Sequence, residues 1–165
     1  MKKIIITTLL STALYCCQAQ TTHTAITEHD PAVKARDSQV KTEIIDPARN
    51  AAQPGEPDWD GIQKTIAAKY DPTTADRTVT KAKIYYYYPK DKAVFCTQIV
   101  KYTNNYELVN DYPLLNLNAG MILQWDTNPA ELKEALRWAK AAADSDPANA
   151  KFQTTYEQLK ARVEQ

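Results

Sequence analysis

The sequence predicts an all-α protein of about six antiparallel helices, preceded by a disordered N-terminal segment. Three observations support this fold class. Apolar residues recur at helical spacing from Asp58 onward, and prolines interrupt this pattern at intervals. The alternation of a half-buried strand and the glycine-based turns of a β-hairpin are missing from a chain with only 3 glycines.

The first element is an export signal. Two lysines follow Met1, and the apolar stretch "IIITTLLSTALY" comes next, which is too short to span a bilayer. Ala19 is small enough to precede a signal-peptidase cut. We therefore expect a signal peptide at residues 1–19 and a mature chain that begins at Gln20 in the periplasm or outside the cell.

The cysteines leave one alternative open for this region. A lipid anchor on Cys16 or Cys17 is disfavoured because Leu14 and Tyr15 are bulkier than the residues that usually precede an acylated cysteine. Cleavage after residue 19 leaves Cys96 as the last cysteine, so the mature chain has no intramolecular disulfide. Its stability is expected to come from packing.

The segment 20–57 is poor in large apolar residues and shows no sustained period, which predicts a flexible linker or tail. It contains both histidines. His23, Glu28, His29 and Asp30 could be drawn as a metal site, but adjacent ligands on an unstructured chain bind weakly. We therefore predict no metal ion and no other cofactor.

Prolines divide the domain at 58–165. Proline is tolerated in the first turn of a helix and penalised in its interior, so each one marks a helix boundary. Five breaks give six helices, and the alternate prolines recur with a period of roughly 34 to 41 residues, which favours repeated hairpins. These prolines are Pro72, Pro89, Pro113, Pro129 and Pro147.

Each predicted helix carries an apolar stripe. In chain order the stripes are Trp59, Ile62, Ile66 and Tyr70; Ala75, Val79, Ala82 and Tyr86; Phe95, Ile99, Tyr102 and Tyr106; Leu114, Leu117, Met121 and Trp125; Leu132, Ala135, Leu136, Ala139, Ala142 and Ala143; and Phe152, Tyr156, Leu159 and Val163.

Residues typical of helix N-termini precede three of these predicted helices. Asp58 precedes the first helix, and Thr73-x-x-Asp76 is similar to a capping box at the second. Asn128 precedes Pro129 and an acidic residue at the fifth.

The last two helices, "EALRWAKAAADSDPANAKFQTTYEQLKA", carry the motif of a known repeat. Ala135, Ala139, Ala142 and Pro147 resemble the small residues and the terminal proline of a tetratricopeptide repeat. The resemblance implies tetratricopeptide-like helical hairpins. The Trp, Leu-Gly and Tyr residues that mark the first helix of such a repeat are not seen. The hairpins before Pro129 are therefore predicted only from helix length and from the apolar stripes.

A wider resemblance covers Asp58 to the C-terminus. The stretches "DWDGIQKTIAAKY", "AKIYYYYPKDKAVF", "LNAGMILQW" and "ELKEALRWAKAAADSDP" together resemble the helical domain that follows a thioredoxin-like domain in a group of exported bacterial proteins. The chain lacks that upstream domain and has no C-x-x-C motif, so the redox chemistry of that group is not carried over.

Four consecutive tyrosines end the second predicted helix. Successive helical residues are about 100° apart, so these side chains point in four directions. Tyr86 continues the core stripe with Tyr85 on its flank, and Ile84 and Tyr88 form a second apolar edge, as expected for a helix between two neighbours. Tyr87 falls on the polar side, which predicts that it is the exposed tyrosine of the run.

An alignment to the tetratricopeptide unit implies a concave groove that gathers Tyr87, Asn116 and Asn118. These three residues are the candidate partner-binding site, and an extended peptide is the partner that such a groove suits. The alternative is that Asn116 and Asn118 cap or solvate a helix that begins near Pro113.

Catalysis is not predicted. Nucleophilic catalysis needs a nucleophile beside an oriented base, but both histidines lie in the tail and Cys96 is expected to be a buried apolar residue. The 20 basic and 20 acidic residues balance, which disfavours nucleic-acid binding.

Two functions remain open after these exclusions. The first is an exported, non-catalytic helical-repeat module that binds a protein or peptide. The second is an accessory or remnant component of an exported thiol-redox system, with a thioredoxin-like protein as its partner. No membrane span is expected.

Overall fold

The computed structural model describes residues 30–107 and 109–165, and this part of the chain is all-α, without β-strands. The elements in order are α1 (Pro31–Val40), a π-helical turn (Lys41–Ile45), α2 (Asp46–Ala51), α3 (Trp59–Lys69), α4 (Pro72–Tyr87), α5 (Lys92–Tyr106), α6 (Tyr112–Trp125), α7 (Pro129–Ser145) and α8 (Ala150–Val163).

The six helices predicted from Asp58 onward are confirmed as α3 to α8, and short connections join them into helical hairpins. Asp58 caps α3 by accepting from the backbone N–H of Gly61, and Asn128 caps α7 by accepting from that of Ala130. The predicted capping box at Thr73 is wrong. Asp71 caps α4 instead, since its carboxylate accepts from both the backbone N–H and the hydroxyl of Thr74.

The prediction of a flexible tail at 20–57 is wrong for its described part, where residues 31–51 form α1, the π-helical turn and α2. Val33, Val40 and Ile45 from this segment are buried. Val40 and Ile45 join Trp59, Ile66, Val79 and other apolar residues of α3 and α4 in one core. The predicted signal peptide and the metal-site candidates His23, Glu28 and His29 lie outside the described residues.

The π-helical turn explains why helical spacing did not identify this segment. Hydrogen bonds between residues i and i+5 widen the helix, so residues five apart come to the same face. Val40 and Ile45 are five apart and are both buried, whereas at α-helical spacing they would diverge.

A buried ion pair fastens α1 to α4. Arg77 is 1% exposed, and its guanidinium donates to both carboxylate oxygens of Asp37, with Nε–Oδ2 at 2.9 Å and Nη2–Oδ1 at 2.6 Å. Such a bidentate pair is strong and directional. The N-terminal helix is therefore held to the domain by charge as well as by apolar contacts.

The C-terminal helices share a second core. Phe95, Ile99, Ile122, Trp138 and Leu159 are among its buried members, and they come from α5, α6, α7 and α8. The predicted stripes of α5, α7 and α8 therefore face the core, with Leu136, Tyr156 and Val163 half-buried at its edge.

The stripe predicted for α6 is confirmed only in part, since Met121 and Trp125 pack at the edge of the core. Its buried apolar residues are Leu115, Ala119 and Ile122, whereas Leu117 of the predicted stripe is 51% exposed. The core-facing side of α6 is thus rotated by about one residue from the prediction, or about 100°. Met121 and Trp125 of the predicted stripe are half-buried at the edge of the core, and Leu114 and Met121 also line the site described below.

Within the described residues, no helix is both long and apolar enough to cross a membrane.

Candidate functional site

The four tyrosines point in four directions, as predicted, but the exposed ones differ from the prediction. Tyr85 is 67% exposed and Tyr88 is 48% exposed. Tyr87, which was predicted to be exposed, is half-buried against the C-terminal core. Tyr85 and Tyr88 are therefore the tyrosines that a partner can reach.

Tyr87 is covered because the chain before α3 folds over it. Its hydroxyl donates to the carboxylate of Glu56, and its ring meets that of Tyr86 edge to face at 5.1 Å. Burial is the main cause that raises the pKa of Tyr87 to about 12. Tyr86 in turn packs edge to face on Trp59 at 5.4 Å. Glu56 belongs to the segment that was predicted to be flexible, so no pattern in the sequence indicated this contact.

Asn116 and Asn118 do not line a surface groove. They are buried, with 2% and 5% of their surface exposed. The Asn118 side-chain amide donates to the hydroxyl of Thr103 on α5 at 2.9 Å. Both the predicted groove role and the alternative role as solvated cap residues are therefore wrong, and Asn118 instead joins α6 to α5. Asp111 is the residue that caps α6.

An open cavity of about 470 Å³ lies between α4, α5 and α6, and we call it the aromatic trough. It is lined by Lys81, Ile84, Tyr85, Tyr88, Phe95, Ile99, Tyr102, Glu107, Leu114 and Met121.

The walls of the aromatic trough are two helix faces. Lys81, Tyr85 and Tyr88 follow one face of α4, and Leu114 and Met121 follow one face of α6. Positions 81–88 and 114–121 are each about seven helical steps from end to end, so each wall is about 10 Å long at a rise of about 1.5 Å per residue. Phe95, Ile99 and Tyr102 of α5 form the floor. The trough thus matches about two turns of a helix in length.

One end of the aromatic trough is an aromatic cluster around a lysine. The Tyr88 ring meets Phe95 at 5.3 Å and Trp125 at 5.7 Å, both edge to face. The Lys92 ammonium lies 3.9 Å from the Tyr88 ring centroid and 4.2 Å from that of Trp125. Cation–π attraction and a hydrogen bond from Lys92 to the Tyr88 carbonyl hold the cluster together. Tyr88 is therefore exposed yet fixed in orientation.

The aromatic trough also contains an oppositely charged pair, Lys81 and Glu107. Burial lowers the pKa of Lys81, and the charge of Glu107 opposes this shift. Burial raises the pKa of Glu107, and Lys81 opposes that shift in turn. The two charges compensate each other, so the trough is mainly apolar with one local dipole.

A buried hydroxyl lies among the floor residues. Tyr102 is 4% exposed, and its hydroxyl has no hydrogen-bond partner in the described part of the chain. An unsatisfied buried polar group costs free energy, roughly 1–3 kcal/mol. The floor of the trough therefore holds a polar group whose hydrogen bonding is incomplete.

Cys96 is buried in the C-terminal core, as predicted. Burial, followed by the nearby carboxylates Asp126 and Glu131, raises the pKa of the Cys96 thiol to about 12. A thiol in this state is a poor nucleophile at neutral pH. Among residues 30–107 and 109–165, no group of His, Cys, Asp and Glu side chains is arranged to hold a metal ion.

Comparison with known proteins gave no match: no family model, no curated protein and no solved structure matches this chain. The resemblance to the tetratricopeptide-like domain of exported bacterial proteins therefore stays a prediction. The functional interpretation rests on the site itself.

Proposed function

We propose that this protein is an exported, non-catalytic helical-repeat module that binds a protein partner through a short amphipathic helix seated in the aromatic trough. The observation that carries the proposal is the second apolar face of α6, whose Leu114 and Met121 form one wall of the trough. Export rests on the signal peptide that the sequence predicts.

The dimensions of the aromatic trough favour a helix as its occupant. Helices that bind in grooves use apolar residues at positions i, i+4 and i+7, which span about two turns. The two walls span the same length, and the floor between them is aromatic. A helical segment also satisfies its own backbone hydrogen bonds, which suits a trough that offers few polar groups.

The charges of the aromatic trough suit the same occupant. Lys81 and Glu107 give the site one positive and one negative group, so a polar side chain of either sign at the edge of the bound helix finds a partner. The Tyr102 hydroxyl is buried beneath the floor, so the accessible polar groups are those of the walls and ends. These groups favour one orientation of the helix, whereas the apolar contacts supply most of the binding free energy.

The chemistry of Cys96 supports a non-catalytic protein over a redox component. Its raised pKa and its burial disfavour thiol–disulfide exchange, which needs an accessible thiolate. No observation favours the second function considered from the sequence, an accessory component of a thiol-redox system.

Selection from a library of randomised peptides tests the proposal. We expect enrichment of sequences with apolar or aromatic residues at i, i+4 and i+7. An enriched peptide should bind Leu114→Ser about tenfold more weakly than the unchanged protein, because a leucine of the apolar wall is lost. Fluorescence anisotropy of the labelled peptide measures both affinities.

Val109→Ser is the matched control. Val109 is an exposed apolar residue that does not line the aromatic trough, and its replacement should leave the affinity unchanged. Equal affinities for the Leu114 variant and the unchanged protein would contradict the proposal, as would enriched peptides without helical spacing of apolar residues.

A further inference from the structure

A second cavity, of about 250 Å³, lies between the N-terminal helices and α4, and we call it the basic cleft. The α1–α2 side contributes seven residues and the α4 side four. They are Lys34, Asp37, Ser38, Lys41, Ile45, Asp46 and Arg49, and Thr78, Lys81, Ala82 and Tyr85.

The basic cleft has an excess of positive charge. Its two acids are already paired, Asp37 with the buried Arg77 and Asp46 with Lys41. Lys34 and Arg49 have no carboxylate within 4.0 Å in the described part of the chain. The fourth cation of the cleft, Lys81, is matched by Glu107 of the aromatic trough.

The two unpaired cations of the basic cleft lie on different helices, Lys34 on α1 and Arg49 on α2, and they differ in their surroundings. The Arg49 guanidinium lies 5.9 Å from the centroid of the Tyr86 ring, so an aromatic face already stabilises it. Lys34 has no such contact with a ring among the described residues. A bound anion should therefore gain the most favourable interaction energy beside Lys34.

The remainder of the basic cleft is mainly apolar. Ile45 and Ala82 face it from the two sides, and the ring of Tyr85 lies at its edge. The lysine side chains add their methylene groups to this surface. A bound molecule thus meets positive charge at one end and apolar groups further along.

We propose that the basic cleft binds a small anionic amphiphile, an alkyl-chain carboxylate, whose carboxylate pairs with Lys34 and whose chain lies against Ile45, Ala82 and Tyr85. The charge excess sets the sign of the ligand, and the volume of about 250 Å³ limits it to a small molecule. This site is distinct from the aromatic trough, although Lys81 and Tyr85 border both.

Titration calorimetry with decanoate tests the inference, at concentrations below micelle formation and with the full mature chain. We expect saturable binding that weakens as salt is added. Lys34→Glu should weaken it about tenfold, because an attraction becomes a repulsion. Lys64→Glu is the matched control, since Lys64 is an exposed lysine on α3 outside the cleft, and it should leave the affinity unchanged.

Two further measurements distinguish binding in the basic cleft from nonspecific binding of an alkyl chain and from binding in the aromatic trough. Decyltrimethylammonium has the same chain with the opposite charge and should bind at least tenfold more weakly than decanoate. Leu114→Ser alters the aromatic trough alone and should leave the affinity for decanoate unchanged. Equal binding of the two amphiphiles, equal effects of the two lysine variants, or a loss of decanoate binding with Leu114→Ser would overturn the proposal.

Discussion

Asp37→Ala is expected to lower the free energy of unfolding by about 3–5 kcal/mol, because it leaves a buried guanidinium without its partner. Arginine stays protonated at any pH at which the protein is folded, so Arg77 cannot escape the cost by losing its charge. Typical domains have only about 5–15 kcal/mol of stability in total. Urea denaturation followed by tryptophan fluorescence measures the loss.

Two comparisons make this prediction specific to the buried pair. Asp46→Ala breaks an exposed ion pair with Lys41 on the same segment and should cost less than about 1 kcal/mol. The double variant Asp37→Ala/Arg77→Met should be more stable than Asp37→Ala alone, because it removes the unpaired charge. A loss below about 1 kcal/mol for Asp37→Ala would show that α1 is not fastened to α4 as the structure indicates.

The second large effect is a dependence of stability on pH that arises at the junction of α6 and α7. Asp126 and Glu131 are buried side by side there. Oδ1 of Asp126 accepts from the backbone N–H groups of Thr127 and Asn128, whereas Oδ2 has no donor in the described part of the chain. Burial first, and then Asp126, raises the pKa of Glu131 from 4.5 to about 7. A protonated Glu131 supplies the donor that Oδ2 lacks.

The sign of the effect follows from proton binding. Between pH 4.5 and about 7 the folded protein retains a proton that the unfolded chain releases. The free energy of unfolding contributed by Glu131 is therefore fully present below pH 4.5, falls as the pH rises and is lost above about 7. Each unit of pKa is worth about 1.4 kcal/mol, so the total is about 3 kcal/mol.

Glu131→Gln separates this effect from those of other carboxylates. Glutamine keeps a donor for Asp126 and an acceptor for Thr97, and it does not titrate. The free energy of unfolding of the Glu131→Gln variant should fall less than that of the unchanged protein between pH 4.5 and about 7. Glu157→Gln, on the exposed side of α8, should show the same pH dependence as the unchanged protein. Identical pH profiles for the unchanged protein and Glu131→Gln would contradict the shared proton.

Local signals explain why α3 to α8 could be predicted. Asp58 and Asn128 cap helices with their own side chains, and Pro72 and Pro129 occupy first turns. These features depend on a few neighbouring residues, so the sequence contains them directly. The packing of α7 was predicted for its alanines and Leu132, but the predicted stripe omitted the buried Trp138 and included Leu136, which is only half-buried.

The helix α6 could not be oriented in the same way because it has two apolar faces. Leu115, Ala119 and Ile122 have the spacing of a core stripe, and Leu114, Leu117 and Met121 satisfy a similar spacing. Periodicity does not choose between the two. The choice depends on contacts with other helices, including the hydrogen bond from Asn118 to Thr103.

The error at Tyr87 and the unpredicted second cavity share another cause. The segment before Asp58 has few apolar residues, and a π-helical turn disrupts their spacing, so it was predicted to be flexible. Its helices and its connection to α3 nevertheless supply Glu56 over Tyr87 and one side of the basic cleft. Without that segment, neither the burial of Tyr87 nor the second cavity follows from the sequence.

The most direct test of the aromatic trough is the methyl resonance of Met121 in protein with ¹³C-labelled methionine. The chain has 2 methionines, Met1 and Met121, so Met121→Leu assigns the signal. A selected peptide should shift this resonance and saturate at the affinity that anisotropy measures, while decanoate should leave it in place. An unshifted Met121 methyl group at saturating peptide would contradict a partner helix bound in the trough.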